Sequence, residues 1–458
     1  YALKETTPAP GYMSDALNKS YTNSTVHNYT DALVTNDAMT VCLDAYGNLC
    51  YEKTGNTWGY VSAIETGQTL SDNVLKFYDT QNTLTVSKID NASNSAVNPN
   101  NSVFTIEGTF AGDHGASSTV TSYTLDGEKG YILTSKLIAG EIYTLTESRP
   151  ADGYTQAAVR YLKVDSNGAI TWSATNNDTY SAATNVDGTT LKVPDTKNKL
   201  SFAKANADGT ITNLTGFTFT VTPVGNAKFA GESTEALTFT NANALEGKLI
   251  AYDTDTSLYG HTQYMHKVSE TVPPDGYCAV NDFTIKMNYD GTVSIADATD
   301  PNKSGTSGTV VLNKANDGST ASNGNILVKD VKTVLKAQKY DTDSSKATPI
   351  AGTIFTVKPL ETAVFADSAT DTAATRTVMT TASGELGNLT GILTASTDTV
   401  TYKYSIEETT PSVGYSLPDA IHDDKNDNIW TIRITRNGQL QTLNADGTTW
   451  TDVTDNIL

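Results

Sequence analysis

The stretch YTLTESRPADGY at residues 143–154 is one of four related phrases in this chain of 458 residues. The other three phrases lie at residues 1–12 (YALKETTPAPGY), 266–277 (HKVSETVPPDGY) and 404–415 (YSIEETTPSVGY). In each phrase a Glu is followed by Pro after three residues, by Gly after six and by Tyr after seven. Such fixed spacing indicates a repeated domain in which the Glu holds the same structural position each time.

A second landmark joins successive copies of the repeat. An Asp and a Lys lie nine residues apart in three segments, at residues 79–88 (DTQNTLTVSK), 195–204 (DTKNKLSFAK) and 330–339 (DVKTVLKAQK). We interpret each segment as the last strand of one domain running into the first strand of the next. The predicted domains, here called A to D, are residues 1–82, 83–198, 199–333 and 334–458. Domain A is expected to lack its first strands and domain D its last strand.

The local pattern predicts an all-β fold. Short alternating apolar and polar runs are interrupted by Gly, Asn and Asp, which is typical of hairpins in a β-sandwich, and no segment keeps a helical period. Because almost no linker separates the predicted domains, we expect the sandwiches to stack as an elongated rod. The net charge of −20 excludes nucleic acid as a partner, since an acidic surface repels phosphate.

Cysteine and histidine usage argues against other classes of site. Three cysteines are too few for a disulfide framework. Cys42 and Cys50 flank a predicted hairpin turn, so a bridge between them is left open, and Cys278 is expected to be buried as a small apolar residue. The five His are scattered and no Ser-His-Asp, zinc or phosphate-loop motif occurs, so no turnover enzyme, cofactor or metal centre is expected. The Asp-rich loops 297–302 and 423–427 are interpreted as solvated turns rather than weak calcium sites.

The charged residues of the repeat fall on apolar strand faces. Side chains alternate between the two faces of a strand, so residues two apart share a face. Lys88 shares a face with Leu84 and Val86, and Glu147 shares one with Leu145. The same test turns ten charged side chains inward: Lys88, Lys204, Lys339, Glu5, Glu147, Glu270, Glu408, Asp79, Asp195 and Asp330.

A Lys, a Glu and an Asp that share one core point to condensation chemistry. Isolated buried charges are costly, and burial favours the neutral amine and the neutral carboxylic acid. A neutral amine beside a neutral acid is a nucleophile beside an electrophile. We therefore predict that the Lys attacks the Asp side chain, while the protonated Glu stabilises the developing charge and relays protons. Held geometry would replace an activating cofactor, and the reaction would occur once per domain.

Two alternatives bear on this prediction. A buried salt-bridge triad without a covalent bond would satisfy the same inward placement. Asn82 and Asn198 are nearby amides, but they fall on the opposite strand face, which argues against them as acceptors.

The phrases also carry a resemblance to a known family. The pattern Tyr-x-Leu-x-Glu-Thr-x-x-Pro-x-Gly-Tyr of residues 1–12 resembles the E-box of pilins, and the whole repeat is similar to the collagen-adhesin B-type (Cna-B-type) domains of Gram-positive surface proteins and sortase-assembled pilins. The resemblance implies tandem immunoglobulin-like β-sandwiches, each with an isopeptide bond between its first and last strands. By position, these bonds are Lys88–Asp195 assisted by Glu147 and Lys204–Asp330 assisted by Glu270.

The chain departs from the family pattern in several respects. Many relatives use Asn as the acceptor, whereas all three acceptor positions here are Asp, so water would leave. Glu5 and Asp79 have no Lys partner in this sequence, and Lys339 and Glu408 have no acceptor, so we expect no complete bond in domains A or D unless another chain supplies the missing strands. Neither an LPxTG-type sorting signal nor a pilin motif occurs; residues 416–420 (SLPDA) are only superficially similar.

The resemblance implies a structural role outside the cell. The expected function is that of a pilus shaft or adhesin stalk, on the surface, in the wall or in a pilus of a Gram-positive-type bacterium, with copies of itself or neighbouring pilin subunits as partners. No transmembrane run occurs, so no membrane insertion is expected in this segment. The alternative is a ligand-binding adhesin that recognises a host or polymer surface through loop inserts at residues 18–36 and 223–264.

Overall fold

The structure is a computed structural model in two compact units, residues 1–197 and residues 198–458. It describes residues 1–13, 34–35, 38–60, 80–98, 102–127, 130–176, 179–180, 186–187, 190–208, 210, 214–240, 245–252, 264–295, 309–312, 326–341, 348–368, 370–386, 389–417 and 428–458. The fold is all-β, as the sequence predicts. Apart from strands, the described residues contain 3₁₀ turns at Asp113–Gly115 and Thr454–Asn456.

Unit 1 contains sixteen strands among the described residues. Those of the predicted domain A are β1 (Ala2–Leu3), β2 (Tyr12–Met13), β3 (Val34–Thr35), β4 (Ala38–Leu43), β5 (Leu49–Lys53), β6 (Thr57–Tyr60) and β7 (Thr80–Gln81). Those of the predicted domain B are β8 (Thr83–Asp90), β9 (Val103–Glu107), β10 (Ser122–Asp126), β11 (Ile132–Thr134), β12 (Ile142–Arg149), β13 (Arg160–Val164), β14 (Ile170–Ser173), β15 (Val186–Asp187) and β16 (Thr190–Asp195).

Domain B is a two-sheet sandwich. One sheet has the order β10-β9-β12-β13-β14 and the other has the order β11-β8-β16-β15. One apolar core joins the two sheets, with Leu84 and Val193 from the smaller sheet and Phe104 and Leu145 from the larger. The first strand, β8, and the last strand, β16, are parallel neighbours, so the two ends of the domain lie side by side.

Unit 2 repeats this construction. The strands of the predicted domain C are β17 (Lys199–Leu200), β18 (Phe202–Asn206), β19 (Thr218–Pro223), β20 (Leu237–Thr240), β21 (Leu245–Glu246), β22 (His266–Val272), β23 (Tyr277–Cys278), β24 (Phe283–Met287), β25 (Val293–Ile295), β26 (Thr309–Leu312) and β27 (Ile326–Lys332). Those of the predicted domain D are β28 (Tyr340–Asp341), β29 (Thr348–Pro349), β30 (Ile354–Leu360), β31 (Arg376–Met379), β32 (Lys403–Thr410), β33 (Ile429–Ile434), β34 (Leu440–Leu443) and β35 (Trp450–Asp452).

Domain C is again closed by its end strands. The larger sheet has the order β20-β19-β22-β24-β25, and β18 and β27 pair in parallel in the other sheet. In domain D the sheet order is β31-β30-β32-β33-β34-β35. The segment that leads to Lys339 meets the end of the chain through a parallel bridge between Lys336 and Ile457.

Burial follows the predicted two-residue period. In β8 every second residue is buried, including Leu84, Val86 and Lys88. In β12 the buried residues include Leu145 and Glu147. The alternating pattern therefore identifies the inward face correctly in these strands, charged residues included.

The cysteines are free thiols. Cys42 and Cys50 are directly opposite each other in the β4–β5 hairpin, as the turn between them predicts, and no disulfide joins them. Cys278 is fully buried and belongs to the apolar core of domain D, which confirms its predicted role as a small apolar residue.

No helix in the described part of the chain has the length and apolar character needed to cross a membrane. The insert at residues 18–36 lies almost wholly outside the described residues, as does part of the insert at residues 223–264.

Candidate functional site

A buried charged triad lies in the core of domain B. Lys88 Nζ contacts Glu147 Oε1 and Asp195 Oδ2, and none of the three side chains is exposed to solvent. In the parallel β8–β16 pair, Val193 is the residue opposite Lys88. Asp195 therefore follows two residues later on the same face, within reach of the Lys. Glu147 approaches from β12 in the facing sheet.

Domain C contains a second triad of the same construction. Lys204 Nζ lies 2.6 Å from Glu270 Oε1 and also contacts Asp330 Oδ1, and all three side chains are fully buried. Val328 is opposite Lys204 in the parallel β18–β27 pair, which again puts the Asp two residues further along. The repeated sequence pattern thus produces the same three-residue contact twice.

The walls around each Lys are aromatic. Lys88 Nζ lies 5.3 Å from the ring centroid of Phe104. Lys204 Nζ lies 5.7 Å from that of Phe217 and 5.4 Å from that of Phe219. Within the described residues, Asp330 Oδ2 has no hydrogen-bond partner. The carboxyl groups are therefore poorly solvated in the charged form.

This environment changes the acidity of the carboxyl groups. Burial raises the pKa of Glu147 to about 7, although Lys88 acts in the opposite direction. Burial, together with the charge of Glu270, raises the pKa of Asp330 to about 8. Burial also raises the pKa of Asp195 and of Glu270. Protonated carboxyl groups are therefore available in both triads near neutral pH.

A β-bulge follows the Glu of the phrase in three domains. The pairing register shifts directly after Glu147 on β12, Glu270 on β22 and Glu408 on β32. The extra residue carries a hydroxyl that donates to a carbonyl of the neighbouring strand: Ser148, Thr271 and Thr409, at 3.2–3.3 Å. Bulges locally bend a strand and re-aim its side chains. We did not predict this bulge, although its sequence signal is the hydroxyl residue after each Glu.

Domain D contains two members of a triad. Lys339 Nζ lies 2.7 Å from Glu408 Oε2; Glu408 is buried, whereas the Lys339 side chain is 23% exposed. In the part of the chain that the structure describes, no Asp forms an ion pair with Lys339. The expectation that domain D forms no complete bond by itself stays a prediction.

The prediction for domain A is wrong for one residue. Glu5 is exposed rather than inward-facing. Tyr1 and Leu3, which share its strand face, are 93% and 38% exposed. The reason is local: β1 ends at Leu3, before Glu5, and among the described strands it pairs with β4 alone, so it lies at the edge of its sheet. Asp79 lies outside the described residues.

The residue three positions after each acceptor Asp has a separate role. Asn82, Asn198 and Thr333 are all at most 1% exposed. Each donates a side-chain hydrogen bond to the backbone carbonyl of a Leu in the domain that follows: Asn82 to Leu137, Asn198 to Leu249 at 2.6 Å, and Thr333 to Leu393 at 2.5 Å. These residues therefore fix the junction into the next domain. Strand parity argues against Asn82 and Asn198 as acceptors, but parity does not detect a contact at a domain junction.

Replacing Thr333 by Val should destabilise the start of domain D by about 1–3 kcal/mol, because the buried carbonyl of Leu393 loses its donor. Thr353→Val is the matched control. The Thr353 hydroxyl is equally buried but has no hydrogen-bond partner among the described residues, so its removal should be neutral or slightly stabilising. Hydrogen exchange of β32 amides measures both effects. Equal protection in the two variants would contradict the assigned role of Thr333.

No metal site accompanies these residues in the described ranges, where no cluster of three or more His, Cys, Asp or Glu could hold an ion. The loops 297–302 and 423–427 lie outside those ranges.

No protein-family model and no curated protein matches the chain. Among solved structures, it is similar to the pilus adhesin SpaC of Lactobacillus rhamnosus GG, with 16% identity and a TM-score of 0.30 over 89% of this chain and 43% of that one. It is also similar to the Bacillus anthracis TIE protein, with 13% identity and a TM-score of 0.27 over 88% of this chain and 56% of that one. The shaft pilin SpaA of L. rhamnosus GG is similar with 13% identity and a TM-score of 0.18 over 55% of this chain and 98% of that one. The chain spans less than half the length of the pilus adhesin.

Proposed function

We propose that this chain is a structural cell-surface protein, a pilus shaft or adhesin stalk of a Gram-positive-type bacterium, in which domains B and C form their own Lys–Asp isopeptide bonds. One observation carries the proposal. In both domains a fully buried Lys, which projects from the first strand of the closing parallel pair, contacts an Asp from the last strand and a Glu from the facing sheet.

Charge balance favours condensation over a permanent salt bridge. One ammonium group facing two carboxylates leaves an uncompensated negative charge in a site with no solvent exposure, which is costly. Transfer of protons to the carboxyl groups relieves this charge, consistent with the raised pKa values of Glu147 and Asp330. Amide formation then removes the amine and one acid altogether, so that no charged group needs to stay in the core.

The proposed reaction is balanced without any added reagent. The lone pair of the neutral Lys amine attacks Cγ of the protonated Asp side chain. The Glu acid donates a hydrogen bond to the Asp carbonyl oxygen and stabilises the charge that develops there. The C–N bond forms, the C–OH bond breaks, and the hydroxyl leaves with one nitrogen proton as water. The held geometry supplies the effective concentration that an activating group would otherwise provide.

The position of the bonds suits a protein under tension. Each bond would join the first strand of a domain to its last strand, so force would pass across the bond and bypass the remaining strands. Asp195 and Lys204 are only nine positions apart in the sequence, so little unbonded chain would lie between the two bonds. Unlike disulfides, amide bonds resist reduction, which agrees with the three free thiols.

Peptide mapping tests the proposal. After proteolysis, two branched peptides are expected, one that joins Lys88 to Asp195 and one that joins Lys204 to Asp330. Lys339 serves as the control within the same chain, because it contacts Glu408 but no Asp among the described residues, and it should be recovered in a linear peptide. Recovery of Lys88 and Lys204 in linear peptides would refute the proposal.

Bond formation should slow at alkaline pH, because an ionised carboxyl group neither donates a proton nor accepts amine attack. In domain B the rate should fall as pH rises through about 7, the pKa of Glu147, and in domain C as pH rises through about 8, the pKa of Asp330. The measurement follows the mass of chains refolded from urea, with Lys204→Ala and Lys88→Ala isolating each domain. Rates that rise steadily up to pH 10 would contradict the required neutral acids.

A further inference from the structure

The two oxygens of each core Glu have different partners. Oε1 of Glu147 and Oε1 of Glu270 contact the Lys amine of their triads. Oε2 of Glu147 accepts a hydrogen bond from the backbone N–H of Ala157 at 2.6 Å, and Oε2 of Glu270 accepts one from the backbone N–H of Val280 at 3.1 Å. The donor lies ten residues after the Glu in both domains.

We infer that this backbone amide is a positioning group for bond formation: by occupying Oε2, it places the proton of the Glu acid on Oε1, which faces the reacting Lys and Asp. The inference rests on the proposed function. A neutral carboxyl group has one carbonyl oxygen, the better acceptor, and one hydroxyl oxygen, the donor. An N–H that binds Oε2 therefore favours the carbonyl form there. The hydroxyl form is left on Oε1, where it can donate to the Asp carbonyl oxygen during the attack.

The recurring phrase explains how the amide reaches the Glu. The Gly six residues after each Glu has a positive φ, 84° at Gly153 and 78° at Gly276, which turns the chain back toward the strand that it has just left. In domain B the returning segment is held at the carbonyl of the Glu itself, which accepts a hydrogen bond from Gln156 Nε2. In domain C the link runs through Arg436 of domain D: its Nη1 donates to the Glu270 carbonyl at 2.6 Å, and its own carbonyl accepts from the backbone N–H of Ala279 at 2.8 Å. The fixed Glu–Gly spacing thus delivers the amide of the tenth residue.

The sequence of domain D differs from those of domains B and C at the position ten residues after the Glu. Ten residues after Glu408 the chain has Pro418, and proline has no amide hydrogen whatever its conformation. The same hydrogen bond cannot form from that position.

The direct test replaces the Ala157 amide by an ester, through incorporation of lactic acid at position 157 of the full chain. This change removes the N–H and keeps the methyl side chain. Bond formation in domain B is expected to be about 10- to 100-fold slower, which is less than the loss of a donor that contacts the developing charge itself, because the Ala157 amide acts through Glu147. The bond of domain C in the same molecule should form at its normal rate. The same ester at exposed Ala158 is the matched control and should leave both rates unchanged.

A pH profile distinguishes positioning from damage to the fold. The Ala157 hydrogen bond favours the ionised form of Glu147, so its removal should raise the pKa of that acid. The alkaline limb, which is the pH range in which the rate of bond formation in domain B falls, should then move to higher pH. The plateau, which is the maximal rate below that range, should decrease. A structural defect would lower the plateau without moving the limb. Ala157→Pro removes the same N–H by standard mutagenesis, and Ala157→Gly keeps it and should behave as the unmodified chain.

The three possible outcomes of these experiments distinguish the role of the amide from the proposed function. If the unmodified chain forms no bond, the proposed function is wrong. If it forms both bonds and the ester chain closes domain B at the same rate, or slowly but with an unmoved alkaline limb, the role of the amide is wrong while the proposed function stands. A slower domain B with a limb at higher pH supports both.

Discussion

Replacing Glu270 by Gln is expected to leave domain C without its bond, so that the chain retains one water more than the unmodified protein. Gln fills the same volume as Glu but cannot supply an acid proton at the Asp carbonyl oxygen. The loop that the bond closes spans 126 residues. By analogy with disulfides, closing a loop of about 100 residues contributes about 4.7 kcal/mol. Domain C of this variant should therefore unfold about 15 °C lower in a thermal scan.

The controls for this prediction lie in the same chain. Glu235→Gln changes an exposed Glu of domain C and should alter neither the mass deficit nor the unfolding temperature. Domain B keeps Glu147 and should keep its bond. A Glu270→Gln chain that still shows the mass deficit of two water molecules would show that bond formation does not need the Glu.

Under force, the unmodified domain C should not lengthen, whereas the Glu270→Gln variant should extend when it unfolds. The bond between Lys204 and Asp330 would shield the 126-residue loop from tension. Without the bond, that loop adds about 3.4 Å per residue, or about 400 Å in one step. Single-molecule pulling on the full chain measures this length directly.

The contrast between domains B and C makes the pulling experiment internally controlled. In the Glu270→Gln chain domain B should still resist, and in a Glu147→Gln chain the behaviour should be reversed. The unbonded domains A and D should extend in both chains, so the test is the number of steps. Glu270→Gln should add one step of about 400 Å to those of the unmodified protein, and an equal number of steps in the two chains would contradict the bridge in domain C.

The two triads could be predicted from sequence because they depend only on strand alternation and on repetition. One alternating strand is weak support for an inward Lys. The support is much stronger when the same parity occurs at both Lys88 and Lys204 and each Lys is matched by an inward Glu and an inward Asp. The structure brings these residues into contact in both domains.

The features that sequence analysis missed depend on neighbours that alternation does not specify. Glu5 has the correct parity but lies two residues beyond the short edge strand β1, and parity gives a face without saying what covers it. Asn82 has the opposite parity and is nonetheless buried, because the following domain covers that face at the junction. The Ala157 amide is a backbone group, and its position follows from the turn at Gly153 rather than from any side-chain pattern.

The central claim is that two Lys–Asp pairs have condensed, and the intact mass of the denatured chain tests it most directly. The account predicts a mass lower than that of the linear sequence by two water molecules, by one in Lys88→Ala or Lys204→Ala, and by none in the double variant, after correction for each substitution. A mass equal to that of the linear sequence, from protein folded at neutral pH, would contradict the account.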